Sequence, residues 1–345
     1  MKIGILTFHI ACNYGAVLQC YALQEYFKSL GHEAYVIDYR NKFMVDVYRP
    51  IRHTLKYSIL RFCLRTYKER KLRRNLFNDF IEEHLNLLPL QDGCIPSELD
   101  LYVHGSDQIW NPKLLGGYDF IYFGVYNVKE GAKRISYAAS FSNKNLNQHD
   151  SSSFSEGLRH LDGISLREKS LVDVIYSLTE KSISCVVDPT ILAGRSVFDK
   201  FVSNLDPIQE KYALVYLIGP GAKALQAAKR ISEEKNLKIK IIGYSGGGEI
   251  VSVPEFIYYF KYASYVVCTS FHATVFSILF KKNFYSFISG TDGDERLFSL
   301  LEPLGLKDRA ISELPSSIEN LDYDGIDARL EDVVKQSTPF LSKFL

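Results

Sequence analysis

Short apolar runs alternate with amphipathic stretches along both halves of the chain, and this alternation constrains the fold most strongly. The runs that predict buried strands cover residues 2–7, 34–39, 101–104, 134–139, 185–187, 213–218, 238–242, 265–268 and 284–288. Helices are predicted between them, among others at residues 17–30, 222–235, 254–262 and 296–304. Strands that alternate with helices pair in parallel, so the pattern predicts an α/β protein with a parallel sheet in each half.

The chain has 345 residues, which is long enough for two domains with separate cores. Pro189, Gly194 and Pro207 interrupt the segment between the two sets of strands. We therefore expect an N-terminal Rossmann-like domain over residues 1–190, with an insertion at about residues 49–88. A C-terminal Rossmann-like domain is expected over residues 191–345, with a terminal helix. Two such halves that face each other across a cleft form the glycosyltransferase-B arrangement.

The composition excludes several classes of protein. A net charge of +1 gives no general reason to bind nucleic acid. The six cysteines form no CxxC pair and no metal-ligand spacing with histidine, which favours reduced thiols and predicts no metal site. The chain opens directly on a predicted strand, and no uncharged stretch reaches the roughly 18–20 residues of a membrane-spanning helix. We expect a cytoplasmic protein.

The stretch 265–280 is the first candidate site. A buried strand is followed by Thr269 and Ser270, both suited to cap a helix, and His272 then falls in the first turn of that helix. Parallel sheets bind ligands outside the carboxyl ends of their strands, and a helix N-terminus there favours an anion. His272 is therefore a candidate functional residue, although a core or capping histidine is the alternative.

A second loop of this kind follows the first strand. Asn13, Tyr14 and Gly15 precede a predicted helix that Gly31 ends, so this loop is a candidate anion cradle. It matches neither a GxGxxG nor a Walker A pattern, so the common nucleotide fingerprints are absent. Simple turn chemistry at Asn13 and Gly15 is the alternative interpretation.

The segment after the strand at residues 101–104 combines the only tryptophan with polar side chains. Asp107, Gln108, Trp110 and Asn111 offer an aromatic face beside groups that hydrogen-bond, which suits a sugar. A tryptophan packed beneath the loop is the alternative. Farther along, Arg167 lies at a predicted strand-to-helix turn, where its planar fork suits a carboxylate or phosphate. A surface pair between this arginine and a glutamate is the alternative there.

The insertion at about residues 49–88 is strongly basic. Its cations interleave with apolar residues, and they are Arg52, Lys56, Arg61, Arg65, Lys68, Arg70, Lys71, Arg73 and Arg74. A solvated face of a helix is the default interpretation of such a pattern. Peripheral contact with anionic membrane is the more specific one.

Taken together, the motifs resemble those of the polysaccharide pyruvyl transferase family over about residues 4–309. The pieces that carry the resemblance are Asn13-Tyr14-Gly15-Ala16 with Leu18-Gln19 and Tyr21-Ala22-Leu23-Gln24, Gly105-Ser106-Asp107-Gln108-Ile109-Trp110-Asn111, Ser136-Tyr137-Ala138-Ala139-Ser140-Phe141, Ser165-Leu166-Arg167-Glu168, Val187-Asp188-Pro189-Thr190, and Thr269-Ser270-Phe271-His272 with Phe276-Ser277. Each motif alone is modest, whereas their order and spacing are specific.

The resemblance implies a glycosyltransferase-B-like fold and transfer of pyruvate from phosphoenolpyruvate onto two sugar hydroxyls. The product is a cyclic ketal, and phosphate is released. Some members act on lipid-linked precursors of surface polysaccharides such as exopolysaccharide or capsule, so the implied partners are phosphoenolpyruvate, a glycan acceptor and, through the basic insertion, the inner face of the membrane. No metal or cofactor is implied beyond phosphoenolpyruvate as co-substrate.

The resemblance implies that Arg167 and His272 lie in the donor site, and the chemistry of the reaction then suggests roles for these and other candidate residues. His272 is assigned as the general acid, and Asp107 as the base or an acceptor ligand. The donor-binding residues are Arg167, Ser270, Thr269, Asn13, Tyr14, Gly15 and Arg296, and the acceptor-binding residues are Asp107, Gln108, Trp110 and Asn111.

One position departs from the family pattern. Several members carry an arginine where this chain has Ser270, so Arg296 or Arg309 is a candidate to supply the missing charge. Two alternatives to pyruvyl transfer stay open. The first is a glycosyltransferase on the same fold that uses a nucleotide sugar. The second, which the departure at Ser270 favours, is a non-catalytic carbohydrate-binding or scaffolding member of the family.

Overall fold

The computed structural model describes residues 1–49, 60–141, 146–219, 221–243 and 248–345, with residues 60–66, 148 and 292 described by secondary structure alone. Arg52 and Lys56 of the predicted basic insertion lie outside the described residues. The chain divides into two compact units. Unit 1 comprises residues 1–193 and 334–345, and unit 2 comprises residues 194–333.

Unit 1 is built on parallel strands flanked by helices. Its five-stranded sheet has the order β3-β2-β1-β4-β5, and β6 and β7 form a parallel pair next to β5 through the bridges Ile135–Gly163 and Ala139–Leu166. The elements are β1 (Lys2–Leu6), α1 (Tyr14–Ser29), β2 (Glu33–Ile37), α2 (Lys42–Val47), α3 (Leu60–His84), β3 (Leu87–Leu88), β4 (Leu101–His104), α4 (Pro112–Leu115), β5 (Lys133–Ser136), α5 (Gln148–Leu158), β6 (Ile164–Leu166), α6 (Val172–Thr179), β7 (Ile183–Cys185) and α7 (Pro189–Ala193).

Unit 2 repeats the same design with a five-stranded parallel sheet of order β12-β11-β10-β8-β9. Its core fills the space between this sheet and helices such as α9, whose Ala224, Ala228 and Ile231 are buried. The elements are α8 (Ser196–Asp199), β8 (Tyr212–Tyr216), α9 (Ala222–Lys235), β9 (Lys238–Ile242), α10 (Val253–Tyr262), β10 (Tyr265–Cys268), α11 (Phe271–Leu279), β11 (Asn283–Phe287), α12 (Glu295–Leu301) and β12 (Ala310–Ile311), and the last helix, α13 (Ile326–Ser342), begins in unit 2 and ends in unit 1.

The predicted fold class, an α/β protein with two Rossmann-like domains, is confirmed. Strands β4, β9 and β10 have the predicted bounds. β4 and β10 are short runs of mostly apolar residues that are fully buried, and β9 alternates lysine with isoleucine before its buried end at Ile242. The expectation that the two domains face each other across a cleft stays a prediction.

Residues 334–345 belong to unit 1, whereas we predicted a C-terminal domain that extends to residue 345. The physical reason is burial. Phe340 and Leu341 pack in the unit 1 core with strand residues such as Ile3, and Ser337 accepts a hydrogen bond from the backbone of Val187 at 3.0 Å. The division after residue 193 is close to the predicted boundary after residue 190.

The polar, serine-rich sequence of residues 143–155 has no helical pattern and favours a loop, but much of it forms α5. Asn147 caps this helix by accepting a hydrogen bond from the backbone N–H of Asp150 at 2.9 Å. Phe154 and Leu158, four residues apart, are both fully buried. Packing of these two side chains outweighs the weak helix propensity of the serines.

Each sheet has one point at which the strand order reverses, and such points are where open α/β sheets bind ligands. In unit 1 this point lies between β1 and β4, and in unit 2 it lies between β8 and β10. The loops that leave these strands contain the candidate residues, with residues 7–13 and 105–111 in unit 1 and residues 269–270 in unit 2.

Candidate active site

His272 lies where the sequence predicted, in the first turn of α11 directly after β10. Ser270 caps the helix, and its hydroxyl accepts a hydrogen bond from the backbone N–H of Ala273 at 3.5 Å. The hydroxyl of Thr269 is hydrogen-bonded to both the N–H and the carbonyl of Ile218 in the loop after β8. Thr269 thus joins the two loops of the unit 2 reversal point. His272 follows three residues later in the chain and is 8% exposed.

The loop after β11 shows that backbone groups at this sheet edge hold an anion. The backbone N–H groups of Ser289, Gly290 and Thr291 all donate to the carboxylate of Asp294, at 2.7–3.1 Å, and the hydroxyl of Ser289 donates as well. Successive N–H groups that converge in this way form an anion-binding concavity. β11 is the parallel neighbour of β10, so this concavity lies at the same edge of the sheet as His272.

The two arginines considered as replacements for a missing charge differ in their surroundings. Arg296 lies in α12, just beyond the loop after β11, and its Nε donates to the carbonyl of Gly293 at 3.2 Å. Arg309 is 5% exposed, donates to the carbonyl of Glu319 at 3.1 Å and lies over the ring of Tyr285. Arg296 therefore remains a candidate ligand for the donor, whereas Arg309 has a structural role.

In unit 1, Arg167 follows β6 directly and is almost completely buried rather than part of a surface pair. Its Nη1 donates to Oδ2 of Asp188 at 2.7 Å, and Asp188 also accepts hydrogen bonds from Ser106 and Thr190. Asp188 comes shortly after β7, and Ser106 comes shortly after β4. One buried ion pair thus connects the ends of three strands.

Two further carboxylates surround the same guanidinium. Nε lies 3.7 Å from Glu168, which accepts a hydrogen bond from Ser140 at 2.6 Å, and Nη2 lies 3.6 Å from Asp107. Burial disfavours the charged form of Arg167, but the three carboxylates outweigh this effect and raise its pKa. The sequence predicted a donor anchor here, whereas the observed contacts are those of a buried arginine that lies close to three carboxylates. The anchor role stays a prediction.

Asp107 is the most accessible of these acids, with 17% of its side chain exposed compared with 2% for Glu168 and none for Asp188. The backbone before it is constrained, since Gly105 has φ +117 and a Cβ there would lie 2.4 Å from the carbonyl oxygen of Tyr137. One oxygen of Asp107 accepts from the backbone N–H of Gln108 at 2.9 Å. Asp107 is therefore held in place at the reversal point with part of its carboxylate open.

Trp110 was predicted to stack on the acceptor sugar, and the structure contradicts this. The indole is fully buried, stacks on Phe123 at 5.1 Å, and donates from Nε1 to the carbonyl of Tyr122 at 3.0 Å. Its faces are therefore covered by the protein's own aromatic rings. Gln108 and Asn111 are also mostly buried and hydrogen-bond each other at 2.7 Å, so they shape the loop.

The loop before α1 behaves mainly as a helix cap. The side-chain oxygen of Asn13 accepts from the backbone N–H groups of Gly15 and Ala16, at 3.0 and 3.3 Å, which are groups that an anion would otherwise use. Tyr14 is buried with its ring 4.9 Å from that of Phe77. Tyr14 therefore belongs to the core, and the predicted cradle is filled by Asn13 itself.

Sequence reasoning missed a hydrogen-bonded pair at the same sheet edge. His9, fully buried, lies 2.9 Å from Asp38, which also pairs with Arg40. Burial opposes ionisation of Asp38, but the hydrogen bonds from His9 and Arg40 outweigh it and lower the pKa of Asp38. The available signal was positional, because His9 and Asp38 each follow one of two neighbouring parallel strands.

A small pocket of about 110 Å³ lies beside this pair, and residues from α3 form one of its walls. It is smaller than the roughly 300–1,000 Å³ typical of small-molecule sites, so it does not constitute an acceptor site by itself. Its lining includes Ile10, Cys12, Arg40, Tyr48, Arg74 and Asn78.

The model of one protein family, the polysaccharide pyruvyl transferases, matches residues 13–290, which is well over half of the chain. The chain belongs to the polysaccharide pyruvyl transferase family. The general activity that this membership indicates is pyruvyl transfer, with a glycan as acceptor. No curated protein matches the sequence.

Several pyruvyl transferase motif residues have identifiable structural roles in this chain. Gln19, fully buried, donates to Thr7 and accepts from the backbone N–H of Ser106, so it joins the two loops of the unit 1 reversal point. Gln24 joins α1 to the end of α3 through the backbone N–H of Asn86. Much of the family signature in unit 1 therefore has a structural role, because these side chains join the loops and helices around the candidate site.

Solved structures with some similarity to this chain include a putative epimerase and a heptosyltransferase. A putative UDP-N-acetylglucosamine 2-epimerase from Listeria monocytogenes is 9% identical, with 100% of this chain and 91% of that chain covered and a TM-score of 0.49. The heptosyltransferase WaaC of E. coli, with ADP, is 11% identical over 96% and 100% of the two chains, with a TM-score of 0.42. Since both TM-scores are below 0.5, these similarities support no conclusion about function.

Proposed function

We propose that this pyruvyl transferase moves pyruvate from phosphoenolpyruvate onto two hydroxyls of a sugar in a surface polysaccharide or its lipid-linked precursor. The product is a cyclic ketal, and phosphate is released. One observation carries the proposal most: the chain matches the family, and His272 lies in the first turn of α11 at the reversal point of unit 2.

The donor is a small anion with a carboxylate and a phosphate, so it needs cationic or N–H donors. Two features of unit 2 support donor binding at this edge, namely the N-terminus of α11 and the cation of Arg296. Ser270 and Thr269 are retained in the proposed donor site because they border His272.

In the proposed reaction, His272 gives a proton to the methylene carbon of phosphoenolpyruvate, which becomes a methyl group. The adjacent carbon then carries oxocarbenium character, and the first sugar hydroxyl adds to it and releases its proton. The second hydroxyl adds to the same carbon, the bond to the phosphate oxygen breaks, and phosphate leaves with the remaining proton. A positioned general acid typically accelerates such a step by about 10²–10⁴-fold.

Asp107 is the proposed base for an acceptor hydroxyl, because it is the accessible carboxylate at the reversal point of unit 1. We propose that Arg167 holds Asp107 in position. We also propose that Arg167 binds the donor, phosphoenolpyruvate. No step of the proposal uses a metal ion or a cofactor.

Peripheral membrane contact belongs to the proposal only through α3. Residues 68–74 of this helix carry Lys68, Arg70, Lys71, Arg73 and Arg74 against Glu69, a local charge excess that supports attraction to anionic lipid, whereas the acids Asp79, Glu82 and Glu83 lie in its last turns. Among the described residues, no helix is long and apolar enough to cross a bilayer. Co-sedimentation with vesicles tests the contact: binding should rise with anionic lipid and fall with salt, and binding that ignores both would contradict it.

The reaction is tested by incubation with phosphoenolpyruvate and a panel of galactose-, mannose- and glucosamine-type acceptors. We expect one acceptor to gain a pyruvate ketal by mass spectrometry, with one phosphate released per ketal. Nucleotide sugars supplied in place of phosphoenolpyruvate form the comparison arm. Sugar transfer with nucleotide release, and no ketal, would instead establish a glycosyltransferase.

A further inference from the structure

Two cations of unit 2, Arg195 and Lys261, pair with a single carboxylate at the edge of the sheet opposite to His272. Asp199 accepts a hydrogen bond from Nε of Arg195 at 2.9 Å and forms an ion pair with Nζ of Lys261 at 2.9 Å. Lys261 lies in the last turn of α10, before β10, and Lys282 lies directly before β11, the parallel neighbour of β10. The two lysines therefore share the amino edge of the sheet.

Lys282 is the least compensated of these three cations. It is partly buried, and no described residue accepts a hydrogen bond from its Nζ. Burial, together with the charges of Arg195 and Lys261, lowers the pKa of Lys282 to about 8. The neighbouring Lys281 differs, since it is exposed and paired with Asp327. The cluster thus consists of three cations and one acid. Of these cations, the ammonium group of Lys282 is the one that lacks an acceptor among the described residues.

The guanidinium of Arg195 is oriented by packing as well as by charge. It lies 5.3 Å from the centre of the ring of Phe280, which is buried, and among the described residues Asp199 is its only ionic partner. About 43% of the Arg195 side chain and 20% of the Lys261 side chain remain exposed, so a small ligand can reach both. A planar arginine fork beside ammonium groups is the donor set that proteins use for phosphate.

We propose that Lys282, Arg195 and Lys261 form a binding site for a phosphate group, separate from the pyruvyl transfer site. A bound dianion would offset the mutual repulsion of the three cations and give Lys282 the acceptor it lacks. The proposal does not depend on the transfer reaction, because these residues lie at the amino edge of the sheet and His272 lies at the carboxyl edge.

The test compares Lys282→Gln with Lys281→Gln as a matched control from the adjacent position. Melting temperature is measured against inorganic phosphate, and against glucose 1-phosphate in a second arm, with chloride used to hold ionic strength constant. In phosphate-free buffer, Lys282→Gln should melt no lower than the parent, because the substitution removes a repelled charge. Phosphate should then raise the melting temperature of the parent and of Lys281→Gln, whereas Lys282→Gln should need at least about tenfold more phosphate.

If both ligands raise the melting temperature of the parent and Lys282→Gln selectively loses this response, the result supports a site for phosphate and its esters. A rise with the ester alone would assign the site to sugar phosphates. Equal responses in Lys282→Gln and Lys281→Gln would overturn the proposal. Arg195→Gln provides a second variant, which should weaken the phosphate response in the same way as Lys282→Gln. An unchanged response in Arg195→Gln would also contradict the site.

Discussion

Arg167 and Asp188 form a buried ion pair, with Nη1 of the arginine 2.7 Å from Oδ2 of the aspartate and almost no exposure of either side chain. Arg167 follows β6 and Asp188 comes shortly after β7, so the pair connects the carboxyl ends of two neighbouring parallel strands. The same guanidinium lies 3.6 Å from Asp107, the accessible acid of unit 1. The pair therefore supports the position of a candidate catalytic group.

Replacement of Arg167 should destabilise the protein. In Arg167→Met the carboxylate of Asp188 stays buried without its cation, and such losses typically amount to about 3–5 kcal/mol in the free energy of unfolding. Urea unfolding measures the change, and Arg159→Met, at an exposed arginine, is the control. A variant as stable as the parent would contradict the claim that the buried ion pair of Arg167 and Asp188 stabilises the protein.

Arg167→Lys tests the donor-anchor prediction separately, because it keeps the charge but loses the fork. If Arg167 also holds the donor, the apparent affinity for phosphoenolpyruvate should fall about tenfold or more in the folded variant. Unchanged donor affinity, measured by initial rates, would leave Arg167 with its structural role alone.

Trp110→Phe should lower stability without affecting acceptor affinity. The substitution removes the indole N–H and leaves the carbonyl of Tyr122 without that partner, which costs about 1–3 kcal/mol. Chemical denaturation, followed by circular dichroism, gives the first quantity, and the acceptor KM gives the second. A raised acceptor KM in a fully stable variant would restore Trp110 to the sugar site.

Stability should also fall at acidic pH through His104. Its Nδ1 donates to the carbonyl of Ile135 at 3.0 Å, and its Nε2 accepts from the hydroxyl of Tyr126 at 2.8 Å, so the buried ring is neutral. Burial, with a contribution from Arg134, lowers the pKa of His104 to about 4. Between about pH 6.5 and 4 the unfolded chain binds a proton at this residue that the folded chain does not, so acid favours unfolding, by up to about 3 kcal/mol.

The measurement for His104 is urea unfolding from pH 7 to pH 4.5, in the parent and in His104→Gln. The parent should lose stability more steeply than the variant over this range. Parallel curves would show that His104 does not carry the effect.

Asp107→Asn should lower the transfer rate by about 10²–10⁴-fold if Asp107 is the base. Stability should change little, because the side-chain oxygen that accepts from Gln108 is kept and the group is partly exposed. Asp173→Asn, at an exposed position of α6, is the control. Near-parent turnover in Asp107→Asn would exclude the assignment.

The sequence was sufficient for the parts of the fold that local patterns determine. Strand β10, the Ser270 cap and the place of His272 follow from residues within a few positions of each other. The burial of Arg167 and Trp110 could not be inferred in this way, because their partners, such as Asp188 and Phe123, are more distant in the sequence. A polar residue at a strand end looks the same in sequence whether it faces a ligand or a buried acid.

The central claim is that His272 is the general acid of pyruvyl transfer, and the most direct measurement is the turnover and melting temperature of His272→Gln on the same preparation. Its position in the first turn of α11 allows a polar side chain of similar reach, so we expect an unchanged melting temperature and a loss of ketal formation of about 10²–10⁴-fold. His160→Gln, at an exposed histidine, should keep both properties. A stable His272→Gln protein that forms the ketal at near the parent rate would contradict the claim.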